Sequence, residues 1–230
     1  MILRGSAGGR WHPARSGACQ LPLSPNLVCF TALDLIGALL TGDESGGIAF
    51  LAVGTGDPGW DAQPPPPDRS RTALTAEIYR IRLRPGIEIS YDSSAGAVDV
   101  RVSLGPGVAT GPLRELGLFG GPATAMPGSG LLVNHKVHDR IDKAGGDTVD
   151  RELRLQLADD LLPGARNLIG GLLAGTPGLA GLQFGALGTD GSAPAGPPTK
   201  LAAEAFRAPL GRSRIRYAGV LRQTPGEDPP

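Results

Sequence analysis

The sequence predicts a mainly β protein with some α, of the α+β class: a small β-sandwich-like unit carrying one amphipathic helix, followed by a truncated second copy. Three observations predict it. Several short segments alternate apolar and polar residues between turns rich in Gly, Pro and Asp, the pattern of half-buried strands. One segment in each half carries its apolar residues at helical spacing instead. Blocks of the first half also return, in the same order, in the second.

Taken in order, residues 1–30 carry Arg4, Arg10 and Arg15 and no acid, and read as a basic N-terminal arm. The complete unit spans 31–160. Thr31 to Leu40 places apolar residues at 32, 33, 35, 36, 39 and 40, a helical stripe, with Thr31 and Asp34 positioned as a capping box and Gly42 to end it. Ile48 to Val53 is a continuous apolar run between glycines, which suits a strand buried on both faces. Pro64 to Pro67 cannot donate ladder hydrogen bonds, so Gly54 to Ser70 is expected to be extended loop. Ile87-x-Ile89-x-Tyr91, Val98-x-Val100-x-Val102, Leu132 to Val137 and Leu153-x-Leu155-x-Leu157 alternate and read as strands. Residues 161–222 form the truncated copy, and 223–230 a disordered tail.

The repeat rests on three blocks. Asp34-Leu-Ile-Gly-Ala-Leu-Leu-Thr-Gly42 returns 133 positions later as Asn167-Leu-Ile-Gly-Gly-Leu-Leu-Ala-Gly175, with six identities in nine. Ile48 to Thr55 faces Leu182 to Thr189 at an offset of 134, and Thr72 to Arg80 faces Thr199 to Arg207 at 127. The helix 31–41 and strand 48–53 should therefore superpose on helix 166–174 and strand 182–187. Phe184 should be packed as Phe50 is. Both copies keep Leu, Glu and Arg three residues apart (Leu74, Glu77, Arg80; Leu201, Glu204, Arg207), which would place Glu and Arg on one face of a helical turn. Such a pair either fixes the loop's return to the sheet or contacts another subunit.

Composition narrows the function. Gly and Pro make up 58 of 230 residues, but 40% hydrophobic content and zero net charge favour a folded, turn-rich chain over a disordered one. No apolar run reaches the roughly 18 residues of a membrane span, and the start does not read as a signal peptide. Cys19 and Cys29, ten apart, read as reduced thiols of a cytoplasmic protein and lack the paired spacing of a zinc site. Residues 200–230 carry six bases against three acids, so both ends are basic on an acidic body; the charge is too sparse for a nucleic-acid partner to be expected.

Catalytic patterns are weak. Gly54-x-Gly56-x-x-Gly59 follows a strand, but Trp60-Asp-Ala-Gln and four prolines cannot start the helix a dinucleotide needs. His135 and His138, three apart on a strand, point to opposite faces and read as solvent-facing or interface residues that could not share a metal. Asp139, Asp142, Asp150 and Glu152 read as solvated surface. No active site, metal or cofactor is expected, and an enzyme that degrades polysaccharide would need two positioned carboxylates that the sequence does not offer.

The order of helix, apolar strand ending in Gly54-Thr55-Gly56, Pro-rich loop and Thr72-x-Leu74-x-x-Glu77-x-x-Arg80 resembles the attachment domains of tail-fibre, collar and baseplate proteins of tailed phages and of contractile injection systems. Leu113-Arg-Glu-Leu-Gly-Leu-Phe119, Leu131-Leu-Val and the strand at Leu153 extend the resemblance, which covers about 30–157 and in part 166–217; the second copy has no equivalent of Leu113 to Phe119. The resemblance implies a non-catalytic structural subunit of a symmetric assembly in a virion tail or phage-like particle, built in the host cytoplasm from tail or baseplate subunits and copies of this chain. Glu77, Arg80, Arg114, Glu115, Glu204, Arg207, Arg212, Arg214 and Arg216 are the candidate interface residues. Residues 182–222 should pack on the first unit or on a neighbour by strand addition, and removing 163–230 should leave the first unit folded. The alternative is a receptor- or glycan-binding fibre protein, for which Trp11 and Trp60, in expected loops, are the candidate platforms.

Overall fold

A computed structural model describes residues 3–14, 17–44, 46–189, 201 and 203–210. The fold is mostly β with two helices, and its main element is a curled antiparallel sheet. The strands are β1 (Leu3–His12), β2 (Cys19–Val28), β3 (Ile48–Gly54), β4 (Glu77–Arg82), β5 (Ile89–Asp92), β6 (Ala97–Leu104), β7 (Gly111–Gly120), β8 (Leu131–Lys143) and β9 (Thr148–Leu157). They lie in the order β4-β3-β7-β8-β2-β1-β9-β6-β5. Helices α1 (Thr31–Thr41) and α2 (Pro163–Leu173) pack on this sheet and on each other. A separate hairpin joins β10 (Phe184–Gly188) to β11 (Glu204–Pro209).

Alternation decides which face of the sheet is buried. Along β9, Val149, Arg151, Leu153, Leu155 and Leu157 turn inward while the residues between them do not. Val149 and the three leucines meet Val98, Val100 and Leu104 of β6, and Leu35, Ile36 and Leu39 of α1, in one hydrophobic core. β3 and β7 are covered on both sides. Leu51, Val53, Leu116 and Leu118 face the main core, whereas Phe50, Ala52 and Phe119 form a smaller cluster on the opposite face with Cys29, Leu74 and Leu132.

Several expectations are corrected. The basic N-terminal segment is not an arm: β1 and β2 insert between β9 and β8, and Leu3 and Ala7 are core residues. Strand pairing satisfies the backbone groups that a free arm would leave to water. Thr31 does not cap α1. It is the first helical residue, and its hydroxyl donates to the Leu132 carbonyl of β8; Gly42 does end the helix in the left-handed region, with φ 76°. The β5 strand begins only at Ile89, because Arg84 to Ile89 closes a turn that leaves Ile87 exposed. The boundary at 160/161 falls inside one packed body. α2 buries Ile169, Leu172 and Leu173 in the core shared with the sheet, and the Tyr91 ring sits over Gly170 and donates its hydroxyl to Asn167 Oδ1 at 2.9 Å.

Candidate functional site

Glu77 and Arg80 lie on β4, not on a helical turn. Three residues apart on a regular strand would point to opposite faces. A bulge resolves this: Tyr79 pairs with Val53 and Glu77 with Gly54, so Ile78 is an extra residue and Glu77 and Arg80 come to the same side. Arg80 Nε and Nη2 donate to the two Glu77 oxygens at 2.6 and 2.8 Å. Arg80 Nη1 reaches the carbonyls of Thr124 and Ser129, and Glu77 accepts from Gly128 N. The guanidinium lies 4.5 Å from the Phe119 ring centre, a favourable cation–π geometry. With side chains 3% and 5% exposed, the pair is an internal clasp that holds the 121–130 turn against the sheet.

Arg114 and Glu115 on β7 are also internal. Arg114 grips Asp61 through Nε and Nη2 at 2.6 and 2.7 Å and donates to the Thr55 carbonyl. Glu115, fully buried, accepts from Thr75 N, Ala76 N and His135 Nε2. Together they fasten both ends of the Pro-rich segment to the sheet. Close approach explains the glycine in front of this segment, since a Cβ on Gly54 would lie 2.6 Å from the Ala76 carbonyl oxygen. Of the candidate interface residues, Glu77, Arg80, Arg114 and Glu115 are thus interior groups, because each is consumed by partners within the chain.

Glu204 and Arg207 repeat the first geometry in the open. Leu187 pairs with Phe206 and Gly188 with Glu204, leaving Ala205 as the extra residue, and the two side chains pair through two contacts of 2.7 Å. Among the described residues no ring or loop covers them, and the Arg207 side chain is 54% exposed. Phe184 is 53% exposed, Phe206 59% and Leu187 69%, so the expected packing of Phe184 is corrected. Phe50 is buried because β7 brings Phe119 beside it; among the described residues β10 has no strand on that edge. Arg212, Arg214, Arg216 and the tail lie outside the described residues.

Acid should release the Pro-rich segment. Hydrogen bonds from Arg114 hold the Asp61 carboxyl down to about 2. Burial raises that of Glu115, but its bonds from His135, Ala76 and Thr75 outweigh this and leave it lowered. Groups with depressed folded pKa stabilise above their unfolded values, near 4, and lose that contribution as pH falls through the folded ones. We expect Trp60 emission, read in a Trp11→Phe background, to shift between about pH 4 and 2 before global unfolding. An emission unchanged down to pH 2 would contradict this coupling.

The histidines have separate partners. His135 is buried against Glu115 instead of facing solvent, and His138 belongs to a second set. His138 Nδ1 donates to the Asp139 carbonyl at 2.7 Å, which leaves Nε2 to accept from Arg151 Nη2 at 2.8 Å. Burial and then the Arg151 charge push this imidazole down to about 3, keeping it neutral. Among the described residues no three His, Cys, Asp or Glu side chains gather as a metal site would require. A cleft of about 600 Å³ beside the Pro-rich segment is lined by Trp60, Asp61 and Lys136. The Trp60 ring is already packed on Gly56 and faced by Arg71, and Trp11 lies in β1, not a loop, donating to Asp147. Arg151 escaped the sequence reading, although it shares the parity of Leu153, Leu155 and Leu157 and so had to face inward.

No known family matches the chain, and neither a curated protein nor a solved structure does.

Proposed function

We propose that the chain is a non-catalytic structural subunit of a phage tail or phage-like contractile injection particle, joined to its neighbours at a baseplate, collar or fibre attachment site through the β10–β11 hairpin. The observation that carries this reading is the hairpin itself. It exposes apolar side chains on both faces, Phe184 on one and the cross-strand pair Leu187 and Phe206 on the other. Exposed apolar strands with open edges are association surfaces.

The reading of residues 163–210 as a second copy of the helix–strand–strand block is supported by register. Val53 opposite Tyr79 and Gly54 opposite Glu77 correspond, at the sequence offsets of 134 and 127, to Leu187 opposite Phe206 and Gly188 opposite Glu204, with a bulge at the same place. In the first block the far edge of β3 is paired antiparallel by β7. The corresponding edge of β10 calls for an antiparallel strand, which we assign to a neighbouring subunit; main-chain bonds would supply affinity and its apolar side chains would cover Phe184. The resemblance of Gly54 to Arg80 and Leu113 to Phe119 to tail attachment modules directs this to a tail-like particle.

A chain lacking residues 183–230, expressed in place of the full chain in cells that assemble the particle, should fold and stay out of purified particles. Incorporation at the wild-type level would overturn the proposal.

A further inference from the structure

The strand pair β2–β8 is short. It consists of Leu27 opposite His135 and Val28 opposite Asn134, and beside it a cavity of about 210 Å³ opens between Leu21, Pro22 and Ser24 of β2 and Lys136 to Asp139 of β8. Arg151 of β9 lines its wall and is only 3% exposed. One of its donors, Nη2, is used by a neutral acceptor, His138; its Nε is buried without a partner, and no carboxylate pairs with this guanidinium among the described residues. A second cation, Lys136, stands on the same wall with its ammonium donating to Ser24 Oγ and the Pro25 carbonyl, both at 2.7 Å. Asp139, the one acid on the cavity lining, is exposed at its rim.

A guanidinium withdrawn from water without a counter-ion is costly, and such charges are ordinarily paired. The other buried arginines here follow that rule: Arg80 has Glu77 and Arg114 has Asp61. Arg151 does not. We propose that the cavity is a binding site for a small oxyanion, a phosphate or a carboxylate, held by Arg151 with Lys136 as the second charge. The planar donor fork of arginine matches two oxygens of such a group. A volume below the roughly 300–1,000 Å³ of drug-sized ligand pockets restricts the ligand to a small ion or the end of an acidic chain. His138 acts as the positioning residue: its fixed tautomer accepts from Nη2 and so sets the plane of the guanidinium without adding charge.

The test is thermal unfolding and isothermal titration of the full chain with inorganic phosphate, with acetate and with chloride at equal ionic strength. Phosphate, acetate or both should bind saturably and raise the midpoint beyond chloride, by the logarithmic dependence on concentration that linkage requires. The two arms tell phosphate from carboxylate. Arg151→Met should abolish the saturable response and Lys136→Met should weaken it about tenfold or more. If Arg151→Met does not fold, Lys136→Met and the wild-type titration decide. Equal responses to all three salts, no saturable heat with the wild type, or binding unchanged in the variants would overturn the site.

Discussion

Removing residues 163–230 is expected to unfold the protein, whereas removing only 183–230 should leave it folded. This reverses the expectation that the first unit would survive the longer truncation. The reason is α2. Ile169, Leu172 and Leu173 lie in the same core as Val98, Val100 and the α1 leucines, and Gly170 receives the Tyr91 ring. Each buried aliphatic side chain contributes about 1.5–3 kcal/mol. Losing three of them, and uncovering the surfaces they touch, rivals the lower end of a domain's total margin of about 5–15 kcal/mol. Among the described residues the shorter cut falls just after the last backbone hydrogen bond to the first body, from Leu182 N to the Leu40 carbonyl at 2.8 Å. Circular dichroism with thermal melting separates the two truncations. A cooperative transition near that of the full chain in the 163–230 deletion would show that α2 is dispensable.

Arg80→Ala should destabilise strongly and Arg207→Ala should not, although the two arginines occupy corresponding positions in two similarly bulged strand pairs. Removing Arg80 strands a buried carboxylate on Glu77 and frees the carbonyls of Thr124 and Ser129, and it uncovers Phe50 and Phe119. Breaking a buried ion pair from one side costs about 3–5 kcal/mol. Arg207 and its carboxylate are open to water, which takes over when the partner leaves. Urea unfolding should show a markedly lower midpoint for Arg80→Ala and one indistinguishable from wild type for Arg207→Ala. Equal losses would mean that the Glu204 pair is covered in solution.

Much of the secondary structure was legible because its cause is local. The stripe at Leu35, Ile36 and Leu39, the run from Ile48 to Val53 and the alternation through Val98 to Val102 and Leu153 to Leu157 each carry their period within a few residues. Once the structure places Val53 opposite Tyr79, the sequence offsets of 134 and 127 put Leu187 opposite Phe206, as observed. The spacing of Glu77 and Arg80 reads as a helical turn for a physical reason: a bulge and a turn of helix both bring residues three apart to one side, and only pairing with Val53 and Gly54 distinguishes them.

What the sequence determined by itself was therefore periodicity, turn positions and the recurrence of the Leu-Glu-Arg spacing. Tertiary structure decided burial. It made β1 and β2 strands instead of an arm, drew α2 into the first core, and enclosed Arg114 and Glu115 while leaving Arg207 in water. Those outcomes depend on residues that stand far apart in the chain, such as Asp61 for Arg114 and His135 for Glu115. A charge costs little or much according to whether such a partner and water reach it, and that is a property of the assembled surfaces, which no local pattern encodes.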